Sequence, residues 1–270
     1  MALDITTMDI KDMLNQIFGI VNTDSSSELS VPLQKPYIIE IEGTDRSGKE
    51  TQSKAIKAKL ENKGLSVKII HFPRYESRST DPIKKYLAGE YGELNEVSEY
   101  RASLLYAQDR LDFAMSEYKE YAEKYDVLIF DRWVGSNLIH QGVKANDWNK
   151  FSDYQFQYEY FKLGLPKPNI TIFLDMPVEL GKKIAKNRCN KIDGKKTQDI
   201  HESNDSYMYK CYTMAHNIAS KYHWFTVRCF NKFLGFKKVK KIDSITNEIM
   251  KILEYPINAY KDMILNNKTN

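Results

Sequence analysis

The run Tyr37-Ile38-Ile39-Glu40-Ile41-Glu42, followed by Gly43-Thr44-Asp45-Arg46-Ser47-Gly48-Lys49-Glu50-Thr51-Gln52, constrains this chain more than any other stretch. A short apolar run of strand length stops at a glycine, turns through small and polar residues, and enters a lysine-rich helical pattern. A strand, glycine loop and helix in that order cradle phosphates. Gly43 and Gly48 let backbone N–H groups point inward, the helix N-terminus offers partial positive charge, and Lys49 adds a full one. Arg46 sets a second cation beside the same phosphate. One position departs from the pattern: after Gly-Lys a hydroxyl residue normally reaches a metal, and here Glu50 takes its place.

From Tyr37 onward, strand and helix patterns alternate. A helix over 49–63 stops at Gly64. A second strand, 67–72, ends at Pro73, and Asp81-Pro82 opens a short helix. Ser98 caps a long helix to about Lys124. A third strand, 126–130, runs into Asp131-Arg132-Trp133. A helix over 151–163 stops before Pro166, and a fourth strand follows at 169–175. Helices at 176–187 and 203–222, a fifth strand at 225–229 and a closing helix at 242–253 complete the pattern. This alternation predicts an α/β fold with a five-stranded parallel sheet and helices on both faces. Ligands then collect beyond the C-terminal strand ends, where Gly43, Pro73 and Asp131 fall.

With 270 residues and 42% hydrophobic composition, the chain can form one large domain with appendages. That domain is expected over 36–255, with a basic lid at 187–200 and a C-terminal tail over 256–270. Residues 1–35 read as an extension: an amphipathic helix carrying Ile5, Met8, Met13, Leu14, Ile17, Phe18 and Val21, then a linker rich in Ser and acids. Its apolar face suits either a partner contact or packing on its own domain. The 40 basic and 36 acidic residues are interspersed and sum to +4, which argues against a nucleic-acid-binding face. Cys189, Cys211 and Cys229 lack metal-binding spacing and read as free thiols of a reducing compartment, the cytoplasm. No apolar run approaches the roughly 20 residues of a membrane span. The acids Asp4, Asp9 and Asp12 argue against a leader peptide.

Beyond the loop, three groups carry chemistry. Tyr106 and Arg110 stand four apart on the long helix, so ring and guanidinium share a face and suit a flat ligand. The alternative is a core tyrosine beside an arginine paired with Asp109 or Asp112. Asp131-Arg132 at a strand tip can hold a magnesium-bound water and neutralise a transferring phosphoryl group. Lys186, Arg188, Lys191, Lys195 and Lys196 surround Gly194, as a lid closing over phosphates or as a solvated loop. Asn190-Lys191-Ile192-Asp193 has the base-reading form of guanine-nucleotide switches, but a whole helix separates it from the preceding strand end, and that reading is rejected.

Taken together, E-G-T-D-R-S-G-K, F-P-R-Y, A-Q-D-R, D-R-W with a serine three residues on, and L-P-K-P-N resemble the thymidylate (dTMP) kinase family over most of 37–255. The resemblance implies a P-loop nucleoside-monophosphate kinase, usually a homodimer, that passes the γ-phosphoryl of ATP to dTMP with magnesium. It further implies that Gly43, Arg46, Ser47, Gly48, Lys49, Glu50, Thr51 and Arg188 surround ATP, with Lys49, Arg46, Asp45 and Arg132 catalytic. Asp45, Arg74, Tyr75, Tyr106, Arg110, Arg132, Ser136, Asn137, His140, Gln141 and Glu202 would face dTMP. Asp131 and Glu50 are the metal candidates, with Asp199 and Glu202 as acids after the lid. Trp133 replaces the family's usual Tyr, and His140 and His201 stand where aromatic hydroxyls often approach the sugar. A kinase for another pyrimidine nucleotide or nucleoside, or a nucleotide-binding module that lost catalysis with the loop hydroxyl, are the alternatives. For Glu50, an outward or water-mediated arrangement is expected, because direct ligation crowds anions.

Overall fold

The first strand, β1 (Tyr37–Glu42), is buried at all six positions, as a strand with both faces covered must be. In the computed structural model, which describes residues 35–184, 205–233 and 235–266, β1 lies at the centre of a five-stranded sheet. The order is β2 (Val67–His71), β3 (Val127–Asp131), β1, β4 (Ile170–Asp175) and β5 (Phe225–Arg228), every neighbour pair parallel. The expected fold class is therefore the observed one. Register sets Ile41 opposite Asp131, so the loop after β1 and the tip of β3 emerge side by side.

On one face, Ile39 and Ile41 of β1 pack with Ile56 and Leu60 of α1 (Lys49–Glu61) and with Ile249 and Leu253 further on. The other face gathers Ile38, Leu128, Phe130 and Trp133 with Phe113 of α3 (Glu99–Ser116), which follows the short α2 (Asp81–Leu87). Five aromatic rings meet there edge to face, Phe72 lying 4.6 Å from Trp133 and 5.3 Å from Phe113.

Several elements differ from expectation. The long helix breaks at Glu117, and α4 (Tyr118–Lys124) follows. After α5 (Val134–His140), helix α6 (Trp148–Gln157) starts early, because the Asp147 side chain caps it by accepting from the backbone N–H of Lys150. It then widens into a π-helical turn, Tyr158–Lys162. α7 (Val178–Ile184) and α8 (Asp205–Lys221) flank the expected lid, which lies outside the described residues, as does the extension over 1–34. A hairpin of β6 (Phe230–Phe233) and β7 (Phe236–Val239) was not foreseen.

The last helix, α9 (Ile242–Asn266), corrects the expected tail. It passes through Pro256 instead of ending near Leu253. Ile257 and Tyr260 are fully buried, and the Tyr260 hydroxyl donates to the Asp126 carbonyl at 2.7 Å.

Candidate active site

Backbone geometry makes the phosphate loop. Gly43 sits at φ 155°, and a Cβ there would stand 2.6 Å from Ser47 Oγ. Gly48, at φ 93°, leads left-handed into α1. Arg46 is also left-handed, at φ 65°, a conformation that side-chain-bearing residues adopt mainly where function holds them. Lys49 is buried, and its ammonium donates to the carbonyls of Gly43 at 2.9 Å and Thr44 at 2.8 Å. Burial and the neighbouring Arg132 lower its pKa to about 7, against the pull of Asp45, Asp131 and Glu42. Ser47 is buried beside it, and Thr51 is half-buried on the first turn of α1.

The tip of β3 closes against this loop. Arg132, left-handed at φ 70°, pairs with the Asp45 carboxylate. Its Nη1 faces the Gly43 carbonyl, Ser136 Oγ and His140 Nε2, each at 3.3 Å. Burial opposes its charge, but the carboxylates of Asp45, Glu42 and Asp131 outweigh burial and raise its pKa. Because an arginine only donates, His140 Nε2 accepts. Asp131 is buried; burial would raise its pKa, yet the hydrogen bond from His71 at 2.8 Å and the charges of Lys49 and Arg132 lower it.

Two buried carboxyl groups hold the tip from below. Glu42 accepts from the backbone N–H of Trp133 at 2.9 Å and from Ser136 Oγ at 3.0 Å. Glu40 accepts from the N–H of Gly135 at 3.0 Å and from Thr171 Oγ1 at 2.8 Å. A Cβ at Gly135 would come within 2.9 Å of that Glu40 oxygen, so only glycine fits. Burial, with the Glu42 charge beside it, pushes the Glu40 pKa well above the carboxylate range; burial also raises Glu42. Neither had been a candidate. Two acids at alternate positions of an otherwise apolar strand were the signal, since buried acids need partners.

Nine expected residues line one cavity beyond the strand ends: Asp45, Tyr75, Tyr106, Arg110, Arg132, Ser136, Asn137, His140 and Gln141. It encloses about 590 Å³ up to its open mouth, and Phe72, Pro73 and Trp133 also contribute to its wall. Asp45 belongs both to this cavity and to the phosphate loop, which joins the two compartments. Tyr106 meets Tyr86 edge to face at 6.3 Å. The Gln141 amide is buried, and neither polar atom is hydrogen-bonded to a described residue. Arg110 is buried and held by Glu159, through Nε at 2.7 Å and Nη2 at 2.8 Å, and not by Asp109 or Asp112.

Two expected site residues are engaged by side-chain partners of their own. Arg74 does not line the cavity: it is clasped by Asp109 at 3.0 Å, Asp112 at 2.6 Å and Glu117, acids that take up its donors. Glu50 is the second. Its carboxylate takes Lys54 one turn along the helix at 2.8 Å, the outward arrangement. Arg188, Asp199, His201 and Glu202 lie outside the described residues. Cys211 and Cys229 are free and buried, and burial pushes the Cys229 thiol up to about 12.

No cluster of three or more His, Cys, Asp or Glu side chains suited to a metal occurs among the described residues. Among the described residues, Asp131 has the chemistry to take a magnesium-bound water. It is ionised, its Oδ2 takes His71, and its other oxygen has no hydrogen-bond partner among the described residues.

The family model for thymidylate kinase matches residues 41–232. A thymidylate kinase of Mycobacterium tuberculosis is 32% identical over 161 residues, 58% of this chain and 74% of that one. One from Plasmodium falciparum is 28% identical over 221 residues, 81% of this chain and 90% of that one. The solved thymidylate kinase of Candida albicans shares the fold at a TM-score of 0.59, with 22% identity over 83% of this chain and 93% of that one. A phosphate loop that shares one aspartate with a base-sized cavity, and a family match over most of the chain, lead to one conclusion: the chain belongs to the thymidylate kinase family.

Proposed function

We propose that this protein transfers the γ-phosphoryl group of ATP to dTMP, giving dTDP and ADP. The observation that carries the reading is the Asp45–Arg132 pair, set where the phosphate loop opens into the cavity. An acceptor monophosphate in the cavity and a triphosphate on the loop would meet at that pair. The acceptor phosphate is already anionic at neutral pH, so the reaction needs no strong general base. Positioning and positive charge carry it.

Lys49 and the loop amides hold the donor phosphates. Arg46 and Arg132 face the equatorial oxygens on which charge builds during transfer. Tyr106 and Arg110 hold the base, and Tyr75 approaches the acceptor phosphate. Asp131 would hold magnesium, directly or through water, and that ion would neutralise charge shared between the donor phosphates. The lid over 187–200, with Arg188, would exclude water from the donor.

A homodimer fits the surface. Half-exposed Tyr100 and Tyr154 lie 5.4 Å apart, Tyr154 stacks on Tyr158 at 5.8 Å, and exposed Leu104 stands one turn from Tyr100. The near-balanced charge, together with Cys211 and Cys229 that are free and buried among the described residues, supports a cytoplasmic enzyme without a nucleic-acid partner. No described helix is long and apolar enough to cross a membrane.

The test is ATP-dependent ADP release over dTMP, dUMP, UMP and thymidine, with and without magnesium. The proposal predicts dTMP as the preferred acceptor and dependence on magnesium. Preference for UMP or thymidine would move the assignment to a neighbouring kinase.

A further inference from the structure

Behind the cavity wall lies a carboxylate that sequence reasoning passed over. Glu159 is fully buried in the π-helical turn that ends α6. Such turns shift a side chain out of helical register, often beside a ligand. Its Oε2 accepts from Arg110 Nε at 2.7 Å. Its Oε1 accepts from Arg110 Nη2 at 2.8 Å, Asn137 Nδ2 at 2.8 Å and Gln155 Nε2 at 3.3 Å.

Hydrogen-bond accounting makes this contact directional. Asn137 Nδ2 has two hydrogens: one goes to Glu159, the other to the Ser103 carbonyl at 3.1 Å. Both partners only accept, so the amide cannot turn over without setting oxygen against oxygen. The Asn137 side-chain oxygen therefore stays an acceptor, in a residue that lines the cavity. Arg110 spends Nε and one Nη2 hydrogen on Glu159, and Nη1 reaches the Trp133 carbonyl at 3.4 Å. Its remaining N–H groups can only donate. Arg110 and Asn137 share one carboxylate oxygen, so a fixed donor and a fixed acceptor stand side by side in the cavity wall.

We infer that Glu159 is a positioning residue that sets the hydrogen-bond polarity of base recognition. It selects a pyrimidine carrying a carbonyl next to a ring N–H over one carrying an amino group next to an unprotonated ring nitrogen. The inference rests on the proposed acceptor site. A 4-keto pyrimidine offers its carbonyl to Arg110 and its N3–H to Asn137. A 4-amino pyrimidine reverses both signs, placing donor against donor and acceptor against acceptor. Glu159→Gln removes the charge that Arg110 and Asn137 share and sets an amide N–H2 against one of their donors, which leaves the Ser103 carbonyl as the single acceptor that opposes rotation of the Asn137 amide.

The experiment measures calorimetric binding and kcat/KM for dTMP and dCMP in wild type, Glu159→Gln and Asn137→Ala, with thermal melting and the ATP KM as controls. Glu159→Gln is expected to lower the dTMP-to-dCMP ratio at least tenfold, raise the dTMP KM and leave the ATP KM unchanged. Asn137→Ala is expected to lower the ratio while Glu159 stays in place, which covers the case in which Glu159→Gln fails to fold. A purely structural Glu159 would lower both nucleotides equally and lower the melting temperature. A folded Glu159→Gln or Asn137→Ala that keeps the wild-type ratio overturns the inference and leaves the proposed function standing. Wild-type protein that binds no dTMP overturns both.

Discussion

At position 46 the phosphate loop carries an arginine in a left-handed conformation, three residues before the buried Lys49. Its planar fork can grip phosphoryl oxygens in a way that the point charge of a lysine cannot. Arg46→Ala should lower turnover on the order of 100-fold or more while ATP affinity barely changes. Turnover close to wild type would remove Arg46 from the mechanism. The loop residues were legible in the sequence because their chemistry is local: Gly43 to Lys49 are positioned by their own backbone. The partners of the arginines were not. Glu159 lies 49 residues beyond Arg110, and the acids that claim Arg74 lie 35 to 43 residues beyond it. Nothing in local spacing distinguishes those acids from solvated ones.

Strand β1 does more than fill the sheet, because its acids Glu40 and Glu42 hold the tip of β3 and the first turn of α5. Burial beside Glu42 raises the Glu40 pKa, so the folded state keeps a proton that the unfolded chain releases. The stability tied to that proton is complete below the ordinary carboxyl pKa and is lost as pH rises toward the raised value, by at most about 1.4 kcal/mol per pH unit. Glu40→Gln imitates the protonated form. Its melting temperature should rise relative to wild type between pH 5 and pH 8; a gap that shrinks over that range would contradict the assignment. The alternation of elements was legible because apolar runs, caps and glycine stops are local signals. The last helix runs on past Pro256, although a proline usually ends one. There the burial of Ile257 and Tyr260 outweighs the lost hydrogen bond. The β6–β7 hairpin is mostly exposed and closes near Gly235, at φ 83°, while the π-helical turn buries Glu159 against residues far away in sequence, which spacing does not report.

Across the whole molecule, a parallel sheet brings a loop near residue 45 and a strand tip near residue 131 into one wall. Cations and amides stand on the loop side of that junction, rings and the cavity on the other. The sheet followed from the alternation of elements, and the residues of the cavity lining from the resemblance to the thymidylate kinase family. The buried acids that fix the lining became visible only in three dimensions. The central claim is that the junction moves a phosphoryl group between two nucleotides and does not simply hold them. Its most direct measurement is a single-turnover reaction of the full chain with γ-labelled ATP, magnesium and dTMP, with the products separated. The account predicts that label appears in dTDP in step with ADP formation. Label released only as inorganic phosphate, or retained in ATP, would contradict it.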